Sequence, residues 1–234
     1  MTLLLNRRGA DVQITQEVVV AAAGNEGDGK EIMTLLLDRR GAEVQITQEV
    51  VVAAAGNSGG GRVIEYLHKI TSIDITDVVI QSAATSGQIN TLRLLDQWAG
   101  AATVSQEWIN IARLCVATKE GDAETVLELT RQSVPPDKQD VWGTTPLWHA
   151  AAQGHTDIVR VLLATKAVDV NATSISKRTP LFWPAADGHV KVIELLLNHG
   201  AKHHYEDVDG RSPLTIARVH GQTKVVKILE AKNI

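Results

Sequence analysis

The sequence predicts an all-α fold, a helical solenoid of about seven helix-turn-helix units with an N-terminal half unit ahead of them. Three observations carry that prediction. "MTLLLNRRGADVQITQEVVVAAAGN" at Met1 returns at Met33 with only Asn6 changed to Asp38 and Asp11 to Glu43, a direct repeat of period 32. The period continues in weaker form, because the Thr or Ser residues at 15, 47, 76, 105, 145, 179 and 212 are separated by 32, 29, 29, 40, 34 and 33 positions. Each of them opens a first helical stretch, and a second apolar stretch of helical period follows. A fixed period of this size marks units that bury their apolar faces only by stacking on neighbours.

The second stretches run "KEIMTLLLDRR", "RVIEYLHKI", "INTLRLLDQW", "AETVLELTR", "TDIVRVLLAT", "VKVIELLLNHG" and "TKVVKILEA". In "TDIVRVLLAT" the apolar Ile158, Val159, Val161, Leu162 and Leu163 leave Asp157 and Arg160 on the opposite side, as one buried stripe requires. First helices begin at a hydroxyl. Thr145, Thr179 and Ser212 each precede Pro-Leu, so the side chain can cap free N–H groups while proline occupies the first helical turn at no cost. Thr15, Thr47, Thr76 and Ser105 hold the same place without the proline. That register sets "EVVVAAAGN" in a helix, although three valines alone favour a strand. Pro184 lies five residues into its stretch and is expected to bend the start of that helix.

Composition narrows the function. Twenty-three Lys plus Arg against 27 Asp plus Glu give a formal charge of −4 without a basic block, so nucleic acid is not the expected partner. No apolar run is long enough to span a bilayer, so no membrane is expected either. The single cysteine, Cys115, lies in an apolar run and reads as a buried thiol in a reducing compartment, which places the protein in the cytoplasm or nucleus.

Chemistry is sparse. "GNEGDGKE" matches most of a phosphate-binding loop from Gly24 to Lys30, but it follows a helix, Glu31 stands where Ser or Thr should hold Mg²⁺, and the second copy has Arg62 for the lysine. It reads as a flexible Gly-rich link. His199, His203, His204, Glu206 and Asp207 cluster in one stretch, which reads as a solvated loop rather than a metal site. Neither metal nor cofactor is implied, no catalytic constellation is present, and the reading leans away from an enzyme.

Three tandem segments, "DVWGTTPLWHAAAQGHTDIVRVLLATKAVDVNA", "KRTPLFWPAADGHVKVIELLLNHGAK" and "DVDGRSPLTIARVHGQTKVVKILEA", resemble ankyrin repeats. Residues 1–132 resemble them through spacing, capping hydroxyls and Ala pairs, as degenerate repeats with short connections, and 133–234 match well, all within one solenoid. The N-terminal units are also similar to the degenerate arrays of fungal NACHT or STAND receptors, where such arrays are thought to sense. The resemblance implies a protein-binding scaffold or sensor without enzymatic activity, using finger loops and a concave helix face. It puts Trp142, Thr144, Ile175, Lys177, Arg178, Asp209 and Arg211 at fingers, Gln153, Asp187, Val219 and His220 on the helix face, and Tyr205 beside them. His155 and His189 fall where the family's imidazole ties neighbouring backbone together. Trp148 and Phe182 replace the histidine after Thr-Pro-Leu, so apolar packing is expected to stand in for its hydrogen bonds. An alternative is a small-molecule or catalytic groove near Trp148, His149, Trp183, His204 and Tyr205. The text begins in mid-unit, which reads as a truncation or internal start, and Leu3, Leu4 and Leu5 are candidates for self-association.

Overall fold

The computed structural model describes residues 13–99 and 104–232, and among them every regular element is helical. In chain order these are α1 (Gln16–Ala23), α2 (Gly29–Arg40), α3 (Gln48–Ala55), α4 (Gly60–Ile70), α5 (Asp77–Thr85), α6 (Ile89–Ala99) and α7 (Gln106–Glu120). After them come α8 (Ala123–Arg131), α9 (Pro146–Ala152), α10 (Thr156–Ala164), α11 (Phe182–Asp187), α12 (Val190–Asn198), α13 (Pro213–Val219) and α14 (Thr223–Ala231). They make the seven expected pairs. The half unit and the leucines at positions 3–5 lie outside the described residues.

The chain divides into two compact units, Met1–Ala112 and Arg113–Ile234, with the division inside α7. In the first, α1, α3 and α5 pack side by side as one layer and α2, α4 and α6 as a second. In the other, α9, α11 and α13 form one layer and α8, α10, α12 and α14 the second. Large apolar side chains of the second helices fill the space between layers: Met33, Leu36, Ile64, Leu67 and Leu95 in one unit, Leu129, Leu162, Leu196 and Leu229 in the other, all fully buried. Each such burial contributes roughly 1.5–3 kcal/mol. The first helices face them with alanine pairs, Ala54 with Ala55 and Ala150 with Ala151, whose small side chains let the layers approach closely.

Capping differs between the units. Thr145 accepts from the Trp148 N–H at 3.2 Å, and Ser212 from the Thr215 N–H at 3.2 Å in a reciprocal capping box, as expected. Thr15, Thr47 and Thr76 hold the capping position, but none of their hydroxyls caps its helix. The Thr47 and Thr76 hydroxyls instead accept from Gln16 Nε2 and Gln48 Nε2 of the preceding repeat, both at 2.6 Å. Glutamine one residue past the cap diverts the hydroxyl from its own helix to its neighbour.

Two further expectations are corrected. The effect of Pro184 is a late start rather than a turn lost inside the helix: α11 begins two residues later than its counterparts, at Phe182. Proline at position 184 has no N–H to give the Pro180 carbonyl, so the first turn stays non-helical. The Phe182 N–H then bonds the Thr179 carbonyl at 3.1 Å, and the Thr179 hydroxyl is left buried without a partner. The Gly-rich link is a packed joint rather than a slack one. A Cβ on Gly60 would lie 1.5 Å from the Ala54 carbonyl oxygen, and the Asn57 side-chain amide donates to the Gly24 carbonyl of the preceding repeat.

Candidate functional site

Three tight turns lead into the first helices of the C-terminal repeats, and one local rule builds all three. A polar residue starts each turn at Asp140, Ser174 or Asp207. Its N–H bonds the carbonyl four residues on, at Thr144, Arg178 and Arg211, with distances of 3.0, 3.0 and 2.9 Å. Its carbonyl accepts from the residue three on, Gly143, Lys177 and Gly210, at 2.9, 2.8 and 3.0 Å. That last residue sits in the left-handed region in each case, with φ of 71°, 58° and 73°. Glycine adopts it freely at two turns; Lys177 adopts it against the clash of its Cβ with the backbone.

The turns are joined to one another. The Ile175 N–H donates to the Trp142 carbonyl at 2.9 Å and the Val208 N–H to the Ser176 carbonyl at 3.1 Å, so each finger pairs with the one before it. Trp142 is 37% exposed, Ile175 69% and Val208 59%, and together they put apolar side chains on three successive tips.

A family model of ankyrin repeats in three copies matches residues 114–207 and 168–234. The chain belongs to the ankyrin-repeat family. A second model, a domain of unknown function (DUF7104), matches 3–33 and 35–64 and so coincides with the near-identical copies at the N-terminus.

Within the ankyrin repeats the first and last fingers are held by buried carboxylates. Asp140 Oδ1 accepts from the Trp142 and Thr144 N–H groups at 3.0 and 2.9 Å, and its Oδ2 from the Thr144 hydroxyl at 2.6 Å. His149 Nε2 lies 3.2 Å from Oδ2 and 2.9 Å from the Thr144 hydroxyl. Burial pushes the Asp140 carboxyl up, but the bonds with His149 and Thr144 outweigh it and hold it below its ordinary value. Asp207 Oδ1 accepts from the Asp209 and Arg211 N–H groups, each at 3.0 Å, and Oδ2 from Arg178 Nε at 3.1 Å and Arg211 Nη2 at 3.0 Å. Here too burial raises the carboxyl, and the bonds from Arg211 and Arg178 overcome it and bring it to about 2. The Arg178 guanidinium also lies over the rings of Phe182 and Trp183, 4.9 and 5.1 Å from their centroids.

These contacts sort the sequence-derived residues. Trp142, Ile175, Lys177 and Asp209 lie exposed on the turns, and Gln153, Asp187, Val219 and His220 are exposed at the ends of α9, α11 and α13. Tyr205 is 36% exposed and its ring stacks on His204. Thr144 is buried and serves the turn from inside, while Arg178 and Arg211 are engaged by Asp207 and Asp209. Val208 was missed; only the common register of the three turns, which sets it beside Ile175, could have shown it.

The aromatic group proposed for a groove is engaged locally. His149 is held by Asp140 and Thr144, Trp148 packs edge-on against His149 at 5.3 Å, and Trp183 packs edge-on against Phe182 at 5.6 Å. His149 thus bonds the finger of its own repeat. Trp148 Nε1 is buried without a partner. A cavity of about 590 Å³ in this unit is lined elsewhere, by segments 130–138 and 165–167.

Among the described residues no group of three or more His, Cys, Asp or Glu could hold a metal ion, and no helix is long and apolar enough to cross a membrane. Burial pushes the Cys115 thiol up to about 12, away from the reactive thiolate. The histidines before the second helices act between repeats: His155 packs against Gly121 with its Nε2 3.4 Å from the Lys119 carbonyl, and His189 packs against Gly154. Gln222 takes the same place against Gly188 and donates to the Ala186 carbonyl at 3.0 Å.

Proposed function

We propose that the chain is a non-enzymatic interaction module, a sensor or scaffold array that takes a protein partner on the fingers and first-helix ends of its C-terminal repeats. One observation carries this reading. Trp142, Ile175 and Val208 stand exposed on turns whose backbones are fixed to one another, so their apolar surface is presented without being needed by the core. Polar contacts would come from Lys177, Asp209, Arg211 and Tyr205 around the tips and from Gln153, Asp187 and His220 along the helix ends. Thr144 and Arg178 contribute by holding the turns in place. The degenerate repeats of residues 1–132 then supply length and stacking, which the near-identity of segments 1–25 and 33–57 suits, and the sensing role is exercised in the cytoplasm or nucleus.

Capture with matched variants tests the reading. A partner that binds the unaltered chain should also bind Val78→Ser, a change at an exposed apolar site of the first unit. It should be lost with Trp142→Ser, Ile175→Ser and Val208→Ser combined, while the melting temperature stays unchanged. Trp142→Ala alone should weaken binding by about 2 kcal/mol or more, as central aromatic anchors do. Equal capture by both variants would overturn the assignment.

A further inference from the structure

The links that follow the two near-identical segments diverge in charge. The first, "GNEGDGKE", carries Glu26, Asp28 and Glu31 against Lys30; in the second, "GNSGGGRV", Ser58, Gly60 and Val63 take the places of the carboxylates and Arg62 that of the lysine. Three negative charges are gone and the cation is kept. The second link opens α4, which packs beside α6 within the first unit.

A cleft of about 480 Å³ lies at the starts of these two helices, and no acidic residue lines it. Arg62, Arg93 and Ser58, all exposed, are among its lining residues. Arg62 Nη2 donates to the Gly27 carbonyl at 3.3 Å, which leaves the rest of its guanidinium fork to other acceptors. The carboxylates of α4 and α6 are engaged elsewhere, Glu65 by Lys69 at 2.8 Å and Asp96 by the Val104 N–H at 3.4 Å. The N–H groups of Gly61, Asn90 and Thr91 have no acceptor among the described residues, because they lie in the first turns of their helices. Thr91 adds an independent sign. It is only 3% exposed, and its hydroxyl has no hydrogen-bond partner among the described residues. That hydroxyl stands at the cleft opposite Gly61, where an added Cβ would come within 3.2 Å of it. A hydroxyl so enclosed is satisfied only by what enters the cleft.

Two guanidinium groups, the positive ends of two helices and a hydroxyl without a partner together suit a compact anion with several acceptor oxygens. We propose that the cleft binds a phosphate dianion, free or at the end of a small organic monoester. Arg62 and Arg93 supply the charge, and the Gly61, Asn90 and Thr91 N–H groups and the Thr91 hydroxyl supply further donors. Glycine at position 61 keeps the approach to that hydroxyl open. The arrangement differs from a nucleotide-binding loop, since no strand leads into it and no Ser or Thr follows the cation to hold Mg²⁺. The first link, with its carboxylates, would repel the same anion.

Nuclear magnetic resonance titration of the ¹⁵N-labelled full chain with inorganic phosphate tests the site, at about pH 7.5 where the second phosphate ionisation is nearly complete. Chloride at equal ionic strength is the comparison. The Gly61, Asn90 and Thr91 amide resonances should shift with phosphate and stay in place with chloride. Arg62→Gln and Arg93→Gln should each weaken binding about tenfold, as the loss of a charged hydrogen-bond donor does. Ser58→Glu, which restores the first link's residue at an exposed position, should weaken it by a similar factor. Lys69→Gln removes an exposed cation farther along α4 and should leave the affinity unchanged. Glycerol 3-phosphate binding more tightly than inorganic phosphate assigns the monoester, and equal or weaker binding assigns the free ion. The site is overturned if phosphate and chloride move the three amides alike, or if Lys69→Gln weakens binding as much as the arginine substitutions. Should an arginine variant fail to fold, Ser58→Glu decides: an affinity for phosphate equal to the parent's also overturns the site.

Discussion

The two units build the same helix pair and join successive pairs by different means. In the first, side-chain amides make the joint, Asn57 on Gly24, Gln16 on Thr47 and Gln48 on Thr76, while each pair closes on itself by close approach, as at Gly60 against the Ala54 carbonyl. In the second, the joint is a ladder of projecting turns locked by Asp140 and Asp207, with His155, His189 and Gln222 packed on Gly121, Gly154 and Gly188 between the paired helices of the preceding repeat. The first arrangement needs the same residues at every step, which near-identical copies provide. The second fixes the turn backbone from within and frees the tips to vary, so a distinctive surface can arise there without loss of stacking.

The largest expected effect probes the close turn inside a helix pair of the first unit. Gly60→Ala should cost more than about 4 kcal/mol, because the new Cβ meets backbone that cannot move aside. Gly41→Ala, at a helical φ of −54° with open space around it, should stay within about 0.5 kcal/mol. Urea unfolding midpoints compare the two, and similar losses would remove close approach as the principle of that unit.

The second kind of joint should fail through charge. Asp207→Asn leaves Arg178 and Arg211 without their carboxylate and should cost about 3 kcal/mol. The Asp207 carboxyl is lowered on folding, so its contribution is present above the unfolded value near 3.9 and is lost as pH falls toward about 2. Acid titration followed by circular dichroism should therefore be flatter below pH 4 in the variant, and parallel curves would contradict the locked-turn account.

A smaller effect separates the two uses of a capping hydroxyl. A double-mutant cycle on Gln16→Ala and Thr47→Ala should show coupling of about 0.5–1 kcal/mol across the repeats. Thr145→Ala should cost about 1 kcal/mol as a helix cap. Additive losses at Gln16 and Thr47 would return Thr47 to an ordinary cap.

Much of this fold is legible along the chain because a repeat states its solution several times. The Thr-Pro-Leu starts, the alanine pairs and the apolar stripes of the second helices each mark a position, and the period assigns "EVVVAAAGN" to a helix against the preference of its valines. Site residues were harder to read. Ile175 and Trp142 follow from the long connections, but Val208 does not, since its exposure depends on which backbone groups the neighbouring turn takes up. Thr144 reads as a finger residue yet turns inward to Asp140, and His149 bonds the finger of its own repeat.

The sequence by itself determined the helices, their pairing and the seven-fold repetition, because periodicity and capping are local properties of the chain. Tertiary structure decided what each repeat does with its neighbour. The identical segments of α1 and α3 show this directly: Val50 is buried in α3, while its counterpart Val18 in α1 is only half-buried. Burial, a carboxyl's charge state and the direction of a hydroxyl are set by what packs across the joint, and that partner lies some 30 residues away in the chain.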